Sequence, residues 1–73
     1  MQKWECMFVR HNNGQIMEIE DAESKTTEFK KPKDQPVWRT WFRDRGREGW
    51  QLVSEYTLNA SSSVHATLKR PIQ

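Results

Sequence analysis

Residues 36–46 read Pro-Val-Trp-Arg-Thr-Trp-Phe-Arg-Asp-Arg-Gly, and the spacing of their large apolar side chains decides the fold. At about 100° per residue, Val37, Trp38, Trp41, Phe42 and Arg45 share a stripe roughly 140° wide, as in a helix laid on a sheet. Arg39, Arg43 and Arg47 fall on the far side as an i, i+4, i+8 ridge. Pro36 suits the first helical position, where a missing N–H costs nothing. Asp34 or Gln35 precedes it as cap, and Gly46 tolerates the left-handed geometry that ends a helix. The spacing predicts one amphipathic helix over residues 36–46.

Strands flank that helix. Residues 3–10 alternate with Trp4, Cys6 and Phe8 on one face and Glu5, Met7 and Val9 on the other. Asn13-Gly14 is the dipeptide of a two-residue hairpin turn, so residues 15–20 run back with Asn12 opposite Gln15. That register sets Ile19 opposite Phe8 and Met17 opposite Arg10, which makes the Trp4 row the expected floor beneath the helix. Residues 21–35 are polar apart from Phe29 and read as an exposed loop pinned by that side chain. After the helix, residues 50–57 place Trp50, Leu52, Ser54 and Tyr56 on one face. A turn-rich connector at 59–63 leads to a last strand with Val64, Ala66 and Leu68 inward and His65, Thr67 and Lys69 outward. The expected architecture is a single α+β domain over residues 1–73. It has one antiparallel sheet of three to four strands with one helix packed on one face.

A chain of 73 residues buries only about 60% of its unfolded surface, so it needs help from dense packing, cross-links or association. Cys6 is alone, which excludes an internal disulfide, and one Cys with His11 and His65 cannot supply a zinc site. No metal and no cofactor is expected. Trp4, Trp38, Trp41 and Trp50, with Phe8, Phe29, Phe42 and Tyr56, supply aromatic packing instead. The N-terminus lacks the apolar run of a signal peptide, and no stretch approaches the length of a membrane span. With a lone cysteine, read as a small core residue, these features point to a cytoplasmic protein.

Three segments carry a resemblance. Trp4-Glu5 opens the first strand, Gly46-Arg47-Glu48-Gly49-Trp50-Gln51-Leu52-Val53 follows the helix, and Leu68-Lys69-Arg70-Pro71 closes the chain. Together they resemble domain of unknown function 4177, a family of small prokaryotic and viral proteins with a Gly-x-Glu-Gly-Trp-Glu-Leu-Val signature and a closing Lys-Arg-Pro. The resemblance implies a β-α-β-β domain and no activity. Trp4, Gly46, Glu48, Gly49 and Trp50 are the motif positions. Arg45 departs from the family's pattern, which has an apolar residue there, and the connector before the helix is longer here. The glycines follow a helix C-terminus, where the dipole repels anions, so they do not form a phosphate loop.

No nucleophile, base and orienting group converge. Ser61, Ser62 and Ser63 lack an adjacent base, and the carboxylates at 18–23 form a solvated run. The chain is therefore read as non-enzymatic. Charge is uneven, however. Residues 30–47 hold seven basic and two acidic groups, whereas residues 1–29 hold three basic and six acidic. Arg39, Arg43 and Arg47, with Lys30, Lys31 and Lys33, are thus candidate contacts to an anion or nucleic acid. Arg45, inside the apolar stripe, is a candidate ligand anchor or else stacks on Trp41 or Trp50. One helix covers one sheet face, so the second apolar row calls for a partner. The expected role is a protein-interaction or self-association module, most simply a two-fold homodimer, with nucleic-acid binding through the ridge as the alternative.

Overall fold

The computed structural model describes residues 2–57 and 62–72. They form β1 (Lys3–Asn12), β2 (Gln15–Glu20), β3 (Thr26–Glu28), a 3-10 turn (Pro32–Asp34), α1 (Trp38–Arg47), β4 (Gln51–Thr57) and β5 (Val64–Ile72). The strands make one antiparallel sheet in the order β3-β2-β1-β5-β4. The fold is α+β as expected, with five strands rather than three or four. Because β3 and β4 occupy opposite edges, the chain between them must cross the sheet, and α1 lies on that crossing. Residues 59–61 of the expected connector lie outside the described residues.

The β1–β2 hairpin turns at Asn13 and Gly14, whose φ angles of 52° and 79° are those the dipeptide tolerates. Asn12 pairs with Gln15 as expected, but the register shifts between Arg10 and His11, leaving Met17 as an extra residue. Ile19 therefore sits opposite Val9, not Phe8. A shift of one residue exchanges the faces of a strand, and the consequence runs through the sheet. Met7 and Val9 are buried beneath the helix with Ile16, Trp50, Ala66 and Leu68. Trp4, Cys6 and Phe8 are exposed on the other face. This corrects the expected floor of Trp4 and Phe8 and the expected burial of Cys6.

A second bulge, between Leu52 and Ser54, breaks the alternation of β4. Leu52 pairs with Leu68 on the helix side, while Ser54 and Tyr56 pair with Thr67 and His65 on the open side. The four-residue row expected on β4 is thus split. In β5, Ala66 and Leu68 are buried and Val64 is half-buried, as the alternation predicts.

The segment 21–35 is mostly exposed, yet it contains a strand. Thr26–Glu28 pairs with β2 through Glu18↔Glu28 and Glu20↔Thr26. Phe29 packs against the core, its N–H donating to Met17 O at 2.9 Å. Asp21 closes the turn before β3, its Oδ1 accepting from the backbone N–H groups of Glu23 and Lys25.

Helix α1 begins two residues later than expected because residues 36–38 are tied to the hairpin. Ile16 N–H donates to Pro36 O at 2.8 Å, and Trp38 N–H donates to Gly14 O at 2.8 Å. That second bond satisfies a free helix-start donor without a side-chain cap, so Asp34 and Gln35 do not cap the helix. The three aromatics of the stripe point inward as expected, whereas Val37 precedes the helix and is exposed. Trp38, Trp41 and Phe42 pack on the core, and Trp38 stacks on Phe42 at 5.1 Å and on buried His11 at 4.2 Å. His11 Nε2 and Glu55 Oε2 lie 3.1 Å apart, reaching across β5, whose small Ala66 leaves room.

The helix ends at Arg47, not Gly46. Gly49, with φ +94°, takes the left-handed position. Trp50 N–H bonds to Arg45 O and Gly49 N–H to Gly46 O, both at 3.1 Å, the paired bonds of a Schellman ending. The two glycines should therefore respond oppositely to alanine. In urea unfolding, Gly46→Ala should raise stability by about 0.5–1 kcal/mol, since a helical glycine is replaced and open space surrounds it. Gly49→Ala should lower it by about 1–2 kcal/mol.

Candidate interaction surface

Two regions outside the core bring chemistry-bearing side chains together. The first is the end of the molecule where α1 stops. Glu5 on β1 pairs across the ladder with Arg70 on β5, and the Arg70 guanidinium contacts Glu5 Oε1 through Nε at 2.7 Å and Nη2 at 2.6 Å. It also lies over the Trp50 ring at 4.5 Å, and its Nη1 donates to Glu48 O at 3.3 Å. One arginine thus joins β1, β5, the start of β4 and the helix ending. Glu5, Glu48, Gly49, Trp50 and Arg70, drawn from all three segments of the resemblance, meet at this point.

A cleft of about 370 Å³ lies beside it, lined by Glu5, Glu48, Gly49, Arg70, Pro71 and Ile72. Arg45 is not among them. Its guanidinium sits 5.4 Å over Trp41 and 3.4 Å from Glu48 Oε2. The stacking on Trp41 is one of the two arrangements expected from the sequence. The cleft's acidic side chains are engaged as well, Glu5 with Arg70 and Glu48 with Arg45.

The second region is the face of the sheet turned away from α1. Trp4, Phe8 and Tyr56 are 45%, 47% and 53% exposed there. Lys69 Nζ stands 4.2 Å over the Trp4 ring, and His65 stacks on Tyr56 at 5.2 Å. Arg10 Nη1 donates weakly to Met17 Sδ at 3.6 Å. A shallow groove of about 110 Å³ runs between Phe8, Arg10 and Glu18 on one side and Tyr56, His65 and Thr67 on the other. Cross-strand pairing also sets Glu18, Glu20 and Glu28 on this face. The sequence shows two apolar rows on β1 but exchanges them. Period-two alternation cannot rank Trp4-Cys6-Phe8 against Met7-Val9, and the Met17 bulge carries no mark in composition.

The ridge residues Arg39, Arg43 and Arg47 are exposed on the far side of α1, and Lys30, Lys31 and Lys33 are exposed before it. Arg47 contacts Asp44 at 3.5 Å. The structure brings neither group onto the aromatic face, because α1 lies between the ridge and the sheet. No helix among the described residues is long and apolar enough to cross a membrane. No family model, curated protein or solved structure matches the chain.

The Arg70 joint makes a direct prediction. Arg70→Ala should cost about 1–3 kcal/mol by losing both the ring contact and the charged hydrogen bonds. Arg70→Lys should recover only part of that, since an ammonium cannot reproduce the planar fork. Thermal unfolding followed by tryptophan fluorescence checks both.

Proposed function

We propose that this chain is a non-catalytic module that docks a protein partner through the open face of its sheet. The observation that carries the reading is the exposure of Trp4, Phe8 and Tyr56 together on that one face. Large aromatic side chains left in water forgo burial worth about 1.5–3 kcal/mol each, and contiguous apolar surface on a small domain marks an interaction site. Aromatics with an arginine nearby are also the residues that dominate binding energy at protein interfaces, and Arg10 lies beside Phe8 and Tyr56 in the groove.

Charge argues against nucleic acid on this surface. Bases stack on exposed aromatic rings, but phosphates need a positive groove, and Glu18, Glu20 and Glu28 flank the rings. The arginine ridge has positive charge without stacking rings beside it. Binding there would be purely electrostatic, with affinity falling by about 0.9 log units per phosphate contact for each tenfold rise in salt.

Cys6, exposed between Trp4 and Phe8 on β1, reports on the face directly. In extract of the chain's own cells, maleimide labelling of Cys6 should be slow. In the Trp4→Ser/Phe8→Thr double variant it should rise to the rate of a free thiol. Arg39→Ser/Arg43→Ser/Arg47→Ser should leave the protection unchanged. Equal labelling of the wild type and the double variant would overturn the docking reading. Protection lost on nuclease treatment, or with the ridge variant, would favour nucleic acid.

A further inference from the structure

The open face carries charge in a pattern that selects its occupant. With β1 at the centre of the order β3-β2-β1-β5-β4, the face divides into two halves. The β2–β3 half presents three carboxylates, Glu18, Glu20 and Glu28, each placed on this side by pairing with Arg10, Phe8 and Glu18 respectively. The β5–β4 half presents Lys69, His65 and Tyr56, placed there by pairing with Cys6, Arg10 and His65. Trp4 and Phe8 stand on the dividing line.

We infer that the partner on this face is a second copy of the same chain, related by a two-fold axis that runs parallel to β1. The inference rests on the docking reading above and deepens it. Of the face-to-face arrangements with a two-fold axis in the interface plane, two keep the strands of the copies aligned. An axis lying across the strands sets each strand over its own copy, so Glu18 and Glu20 face Glu18 and Glu20, and like charges meet. An axis along β1 exchanges the halves, so β2 of each copy lies over β5 of the other. Level along that axis, Glu18 then lies over His65 of the copy and Glu20 over Thr67, one ladder step from Lys69, and the aromatic rows of the two central strands meet at the axis. The two Arg10 side chains come together there, each flanked by its own Glu18 and by the copy's. Opposite charges across an interface fix register and reject the wrong alignment.

Size and edges agree with a face contact. With a rise of about 3.4 Å per residue and strands about 4.8 Å apart, the five strands give a flat face of roughly 560 Å², before the relief of the side chains is added. A standard interface buries about 800 Å² per partner. Edge-to-edge pairing is the other route for a small sheet, but β3 has three residues and β4 is interrupted by its bulge. Both features blunt an edge.

The test is charge exchange with a unique thiol as reporter. Light scattering at micromolar concentration should give a dimer for the wild type. Glu18→Lys/Glu20→Lys and Lys69→Glu should each weaken association about tenfold or more, and combining them should restore most of the loss. Packed sheets lie about 10 Å apart, beyond disulfide reach but within the span of a short bis-maleimide. Cys6, on the central strand, should therefore cross-link to Cys6 of the copy in high yield. Circular dichroism should show every variant folded, since the substituted side chains are not in the core.

A clean monomer overturns the inference. If Cys6 is still shielded in extract, the docking reading survives with a different partner. If Cys6 is unshielded, both fall. A dimer in which the combined charge variant stays weak would overturn the axis along β1.

Discussion

The inner row of the central strand, Met7, Val9 and His11, sets the terms for the rest of the molecule. Val9 is flanked by Ile19 on β2 and Ala66 on β5, and Met7 by Leu68. Those contacts decide which side of β1 is dry. Once Met7 and Val9 face the helix, pleating obliges Trp4, Cys6 and Phe8 to face away. A ten-residue helix is about 15 Å long and cannot wrap both sides of a five-stranded sheet. The open face is therefore a consequence of the core.

The helix is held at both ends by bonds to the sheet's own backbone or its charged rim. At its start, Gly14 O and the Pro36–Ile16 bond fix where residue 38 must lie, and the stack of His11, Trp38 and Phe42 fills the space beneath. At its end, the Gly49 reversal delivers Trp50 into the core, and Arg70 closes over the indole. Arginine suits that place because its flat group can lie on a ring while its N–H groups reach a carboxylate and a carbonyl. Glu5, Trp50 and Arg70 are far apart along the chain and come together at this one contact.

Much of the architecture was legible. The helix announced itself through Trp38, Trp41 and Phe42 at helical spacing, the hairpin through Asn13-Gly14, and the last strand through Val64, Ala66 and Leu68. What was not legible depended on partners distant in sequence. The two bulges, at Met17 and near Val53, shift register without any glycine or proline to mark them. Residues 26–28, Thr-Thr-Glu, have no apolar alternation, so their strand exists through backbone pairing to β2 and the anchorage of Phe29. Gly46 and Gly49 both satisfy the local rule for a helix ending, and only the acceptors at Arg45 and Gly46 distinguish them. Of the candidate surface, His65, Thr67 and Lys69 are legible as outward from the alternation of β5, while Trp4, Phe8 and Tyr56 read as inward because the two bulges are invisible in the sequence.

The ladder between β1 and β5 has a further consequence, for biosynthesis. Lys3 pairs with Ile72 and His11 with Val64, so the middle of the sheet joins residues separated by most of the chain. Closing so long a loop carries an entropic cost before any contact rewards it, and contacts of this kind slow folding. The hairpin of β1 and β2 can form as soon as it leaves the ribosome. Met7 and Val9 must nevertheless stay uncovered on one flank until residues 64–72 are translated. Completion of the sheet thus waits for β5, and the nascent chain passes through a stage in which its central strand has a neighbour on one side only.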